Sequence, residues 1–197
     1  IPRDELWSPG VAREGRASGM SHIDLFGPFA IGLDPDYSEA YYNRGSVYYS
    51  LDRLEAAIDD FDSCIQLEDD LSMAYLMRAQ CYAHQNAVIS ALDDYSKCLK
   101  VDPANVDALN NRGALKLVRG NSWGALEDFD QAISIQPGNE LLYANRARAY
   151  AAMEDYGAAI QDYNSALSKD IDNAVFFFGR AMVWYKMSLF DRTVEDI

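Results

Sequence analysis

Three kinds of side chain in this 197-residue sequence invite a chemical reading: adjacent carboxylates, cysteines and histidines. Asp59-Asp60, Asp93-Asp94 and Glu127-Asp128 are acidic pairs of the sort that could share a proton or hold a hard cation. Their recurrence argues against both uses. The second acid of each pair repeats every 34 residues, as Asp60, Asp94, Asp128, Asp162 and Asp196, and an arginine repeats at the same interval, as Arg44, Arg78, Arg112, Arg146 and Arg180. A catalytic centre is a single constellation. Five acids and five arginines in fixed register read as a ladder of ion pairs within or between repeated units, weak where exposed and stronger where half-buried and bidentate.

The cysteines and histidines give no better case for reaction chemistry. Cys64, Cys81 and Cys98 are odd in number and 17 residues apart, which suits neither a disulfide framework nor a zinc ligand set. They are expected to be buried, reduced thiols, which favours an intracellular and specifically cytoplasmic location. His22 and His84 have no nucleophile motif nearby, no glycine-rich loop follows a strand, and no strand pattern is evident. The expectation is a non-enzymatic protein with no catalytic residues, no cofactor and no metal.

The elements that carry these residues are set by the same period. Tyr41, Tyr75, Leu109, Tyr143 and Phe177 recur 34 apart, and the small residues Gly45, Ala79, Gly113, Ala147 and Ala181 follow each by four. Later in each unit come Ala57, Ala91, Ala125 and Ala159; then Phe61, Tyr95, Phe129 and Tyr163; then Cys64, Cys98, Ala132 and Ala166. Pro35, Pro103 and Pro137 share one phase, where a residue without an amide donor is tolerated between helices. Spacings of three and four place each apolar set on one face of a helix.

This pattern of aromatic, small, aromatic, then Ala, aromatic, small, then Pro resembles the tetratricopeptide repeat, a helix-turn-helix unit. The units fall at 38–71, 72–105, 106–139 and 140–173, with a truncated fifth from 174 to 197. Residues 29–37 resemble the tail of a degenerate preceding unit. The resemblance implies an all-α, right-handed α-solenoid in which first helices line an inner groove and second helices face outward.

Composition narrows the partners. A formal net charge of -14 disfavours nucleic acid, whose phosphates need clustered Lys and Arg, and favours a basic partner. No apolar run approaches the length of a membrane span. By repeat phase, Tyr42, Tyr49, Met73, Leu76, Met77, Leu117, Leu141, Val175, Phe178 and Tyr185 are expected in or beside the groove, about half of them exposed, where aromatic and methionine side chains would make an adaptable contact surface for a peptide or helix. Asn43, Asn111 and Asn145 share one phase, with Met77 and Gly179 at the equivalent places. They are similar to the asparagine ladders of peptide-binding family members, and are equally consistent with ordinary solvated positions. The carboxylate clamp of chaperone-binding members is absent: Tyr42, Ser46, Met77, Asp107, Asn111, Leu141 and Val175 occupy its windows, so a chaperone tail would meet Asp107 and no cation.

Residues 1–28 hold three prolines and four glycines and read as an irregular arm. Leu6, Trp7, Phe26 and Phe29 suggest that it docks on the repeats or on a partner. The arm has no continuous apolar stretch of the signal-peptide kind, and the segment is expected to belong to a longer protein or a larger complex. The expected function is a protein-protein interaction scaffold within a multi-protein assembly. The alternatives are the recruiting region of a larger enzyme and a receptor for short peptide signals.

Overall fold

The structure, a computed structural model, describes residues 30–189 and 192, and contains helices and turns but no strand among them. Residues 30–33 form a helical turn. Nine helices follow among the described residues: α1 (Ser38–Ser50), α2 (Leu54–Leu67), α3 (Ser72–His84), α4 (Val88–Val101), α5 (Val106–Val118), α6 (Ser122–Ile135), α7 (Glu140–Ala152), α8 (Tyr156–Leu167) and α9 (Ala174–Lys186). The arm at 1–28, with His22 and its large apolar residues, lies outside the described residues, as do Asp196 and nearly all of the second half of the fifth unit. Packing divides the chain into two compact units, one running to Ala91 and the other starting at Leu92.

Each helix has only 12 to 14 residues. Isolated helices of that length are marginal in water, so packing between them must supply the stability. In the first unit α1 and α2 cross where Gly45 passes the Phe61 ring, and a Cβ on that glycine would lie 2.9 Å from it. Ala57, Phe61 and Cys81 form the buried centre, with Tyr42, Tyr48, Tyr49, Ile58 and Met77 packed against it. The second unit repeats the arrangement: Gly113 on α5 stands against Phe129 on α6, again 2.9 Å from a virtual Cβ. Ala125, Leu126 and Ala149 complete that cluster. Farther along, Ala147, Ala159, Tyr163 and Phe176 join α7, α8 and α9.

The turns within the helix pairs carry a second periodic signal. Asp52, Asn86, Gly120, Glu154 and Ser188 have φ of 58°, 60°, 79°, 63° and 60°. The residue after each donates its amide back across the end of the helix, as in Arg53 to the Tyr48 carbonyl at 2.8 Å and Asn121 to the Lys116 carbonyl at 2.9 Å. This is the Schellman closure, in which a left-handed residue lets a later amide satisfy an orphan helix carbonyl. The chain can then reverse in three residues, and it does so at the same phase each time. Only Gly120 occupies the left-handed region without a steric penalty.

Helix starts differ between the units. In the second unit Asn105, Asn121, Asn139, Asp155 and Asn173 each accept a backbone amide at 2.9 to 3.1 Å. In the first unit Tyr37, Arg53 and Leu71 stand at the corresponding places and provide no side-chain cap. A good cap contributes about 1 kcal/mol, so α1, α2 and α3 rely more on packing. Among the described residues no helix is long and apolar enough to cross a membrane.

Substitution at the left-handed turns should change stability with opposite signs. Glu154→Gly is expected to raise the unfolding free energy by about 0.5 to 1 kcal/mol, and Gly120→Ala to lower it by about 1 kcal/mol. Equilibrium urea unfolding of the two variants checks both.

Candidate protein-interaction surface

The arginine ladder is built from neighbouring helices and is largely enclosed. Arg44 on α1 donates to both oxygens of Asp60 on α2 at 2.8 and 2.6 Å. Arg112 on α5 does the same to Asp128 on α6 at 3.0 and 2.6 Å, and Arg146 on α7 to Asp162 on α8 at 2.7 and 2.8 Å. The carboxylates of Asp60, Asp94, Asp128 and Asp162 are buried. Four arginines of the ladder reach back to the preceding second helix: Arg78 to Asp62, Arg112 to Ser96, Arg146 to Asp130 and Arg180 to Asn164. Arg112 and Arg146 therefore each fasten one helix pair internally and to its predecessor. Two carboxylates push the Arg146 guanidinium well above the ordinary arginine value, Asp162 first through its hydrogen bonds.

Aromatic rings cover these guanidinium groups. Arg44 lies 5.7 Å from the centre of Tyr41 and 5.9 Å from that of Tyr48; Arg146 has the same distances to Tyr143 and Tyr150. The third repeat lacks both aromatics, carrying Leu109 and Lys116 at those phases. There Lys116 supplies a second cation to Asp128, at 2.8 Å. Ring and lysine solve one problem in two ways, by shielding the ion pair or by adding charge to it.

The thiols of Cys64, Cys81 and Cys98 are free and buried, and burial pushes each up to about 11. They are filling for the core and poor nucleophiles at neutral pH. His84 is exposed, with Nδ1 3.3 Å from an oxygen of Asp52.

Residues expected at the groove separate into three groups. Leu76 is a correction: only 3% exposed, it is a core side chain, because its position faces inward from α3. Tyr42, Tyr49 and Met77 are half-buried against the Phe61 cluster, and Leu117 against the Phe129 cluster. Met73, Leu141, Val175, Phe178 and Tyr185 are exposed, with Val175 at 73% and Phe178 at 60%. The asparagines divide as well. Asn43 is exposed, whereas Asn111 and Asn145 are half-buried. Asn145 donates to Asn110 at 2.8 Å and accepts from Arg148, and Asn110 in turn donates to Asn111. The Asn145–Asn110 bond thus joins α7 to α5, while the Asn111 amide is bonded within α5.

The described residues include two open concavities of similar size. One, of about 430 Å³ in the first unit, lies among Tyr37, Tyr42, Leu71 and Met73, with the carboxylates of Asp34, Asp36, Glu39 and Glu68 around it. The other, of about 420 Å³ in the second unit, lies between α7 and α9. Ala151 and Ala152 line one side, Val175, Phe178 and Met182 the other, and Arg148 and Lys186 stand among them. Gly179 makes this cleft possible. Tyr163 approaches so closely that a Cβ on Gly179 would lie 2.6 Å from its ring and hydroxyl oxygen. Burial pushes the Tyr163 phenol up, and the nearby Arg148 charge partly offsets that rise. Val175 and Phe178, expected in or beside the groove from their repeat phase, line this cleft together with Arg148, Met182 and Lys186, which repeat phase did not single out. The signal available was their position on α7 and α9, two helices with only Glu140 as an acid.

Comparison with protein families matches residues 38–71 and 141–168 to the tetratricopeptide repeat. The chain is a tetratricopeptide-repeat protein. Solved structures agree on the fold of this repeat protein. YrrB, described as a TPR protein with an unusual peptide-binding site, superposes with a TM-score of 0.76 at 17% identity over 86% of this chain and 88% of its own. A tetratricopeptide repeat protein from Parabacteroides merdae ATCC 43184 gives 0.78 at 20% identity, over 94% and 74%. Cut9, in the APC/C hetero-tetramer Cut9-Hcn1, gives 0.74 at 14% identity, over 94% of this chain and 37% of that one. Comparison with curated proteins found none that matches. The fold class is therefore the all-α tetratricopeptide solenoid, which is in general an interaction module without catalysis of its own.

Removing one arginine should be costlier where nothing else serves its carboxylate. Arg44→Ala is expected to lower stability by about 3 kcal/mol by leaving Asp60 buried and unpaired. Arg112→Ala should lose at least about 1 kcal/mol less, because Lys116 still holds Asp128. Urea unfolding compares the two. The thiols predict a pH effect. Their folded value of about 11 exceeds the ordinary thiol value of 9.0, so the unfolded state loses protons first and stability falls as pH rises from about 9 to about 11. Replacing all three with Ala should flatten that part of a stability-pH profile.

Proposed function

We propose that this tetratricopeptide-repeat protein is a non-enzymatic interaction scaffold, which receives a peptide or helix of a partner on its first-helix face within a multi-protein assembly. The observation that carries the reading is the exposure of Val175 and Phe178 beside the open α7–α9 cleft. Large apolar side chains grouped around a concavity are costly to leave in water, and they form the usual centre of a protein contact. Their neighbours do not need them: the core of these helices is completed by Phe176, Ala147 and Tyr163. The peptide-binding site of YrrB and the assembly of Cut9 with Hcn1 are in keeping with this use of the fold.

A photo-crosslinking amino acid at position 178 should join the full-length protein to its partner in the source cells. The same group at exposed Glu127 on α6 serves as the control. Val175→Glu should reduce the adduct from position 178 at least about tenfold while the folded spectrum is kept. Adducts formed from position 127 alone would put the interface elsewhere and overturn the proposal.

A further inference from the structure

We infer that the α7–α9 cleft selects an acidic amphipathic segment, one that inserts a large apolar side chain beside Phe178 and Met182 and offers carboxylates to Arg148 and Lys186. This rests on the interaction reading above and adds the chemistry of the partner.

The first argument is the contrast between local and overall charge. The chain has 31 Asp and Glu against 17 Lys and Arg, yet α7 and α9 together contain one acid, Glu140, and four cations, Arg146, Arg148, Arg180 and Lys186. Arg146 is committed to Asp162 and Asp130, and Arg180 reaches Asn164. Arg148 meets the Asn145 amide oxygen, and neither it nor Lys186 has a carboxylate partner among the described residues. Asp155 caps α8 through Ala158, and Asp162 holds Arg146. Two cations at an apolar cleft, without a carboxylate among the described residues of an acid-rich chain, are complementary to an acidic visitor.

The second argument is shape. A volume of about 420 Å³ falls within the roughly 300 to 1,000 Å³ of ligand pockets and admits side chains. Ala151 and Ala152 leave room on the α7 side, and Gly179 adds no side chain above Tyr163. The lining is predominantly apolar, which disfavours a phosphate backbone: two cations amid Val175, Phe178, Met182 and Ala151 would leave most phosphate oxygens unmatched. A helix or extended strand with one buried apolar anchor and neighbouring Asp or Glu satisfies both the hydrophobic lining and the cations. Orientation follows from the charges, and affinity from the anchor.

The test is selection of random peptides displayed on phage against the full chain, followed by affinity measurement of the enriched peptides as synthetic molecules. The expected outcome is a large apolar residue with Asp or Glu within one helical turn. Arg148→Glu combined with Lys186→Glu should weaken these peptides at least about tenfold, added salt should weaken them on wild type, and the variant should keep the wild-type circular dichroism and melting temperature. If the enriched peptides are basic, or are unaffected by the charge reversal, yet are lost with Phe178→Glu, acid selection is wrong and the scaffold reading stands. If the peptides bind and Phe178→Glu changes nothing, or if no peptide is enriched, both are overturned.

Discussion

The closest approach between first and second helices is the constraint on which the rest of this molecule depends. Gly45 against Phe61 and Gly113 against Phe129 leave no space for even a methyl group without movement of a buried ring. That contact brings two short amphipathic helices near enough to bury each other's apolar faces, which neither could do alone. It also fixes their rotation. Once the ring lies under the glycine, Arg44 or Arg112 is set opposite Asp60 or Asp128, and the bidentate pairs form between side chains already held in place. In the fourth repeat the small residue is Ala147, and the Tyr163 ring extends beneath Gly179 of the next first helix. Close packing there passes from one repeat to its successor, and the α7–α9 cleft lies directly above it.

Electrostatics divides the charged residues into two populations. Carboxylates of the ladder are buried and doubly served, so their charge is spent inside the protein on fastening helices together. Breaking such a pair leaves a desolvated charge, whereas the intact pair adds less than its Coulomb attraction suggests. Arg148 and Lys186 are different, being cations placed at a concavity with no carboxylate to hold among the described residues. A partner sees this second population, and the first explains why so many arginines in the sequence say nothing about binding.

Period 34 made most of the fold legible, because a repeated unit announces each feature several times over. Arginine and aspartate in register could be read as a ladder before any distance was known, since no single active site would recur five times. The left-handed turn residues were equally periodic but went unread: Asp52, Asn86, Gly120, Glu154 and Ser188 share no side-chain chemistry, only a backbone angle. Leu76 shows the limit of phase arithmetic, as a single helical step separates a groove position from a core position, and Leu76 is buried while Met73 on the same helix is exposed. The asparagines at 111 and 145 show another limit. Their common phase was visible, but only Asn145 bonds across to the neighbouring first helix, through Asn110, which has no counterpart in the pattern. Part of the cleft's apolar lining was legible through Val175 and Phe178, whereas Met182 and the two cations were not, because nothing in the repeat calls for them.

Equilibrium unfolding of Gly113→Val beside Gly138→Val tests the central contact most directly. Gly138 has nothing within 4 Å of a virtual Cβ and serves as a control for glycine replacement in general. A branched side chain at 113 must displace the Phe129 ring, and the variant should be less stable than the control by at least about 2 kcal/mol, with its second unit unfolding at lower urea. Equal stability of the two variants would mean that close passage of glycine under an aromatic ring does not hold these helix pairs together.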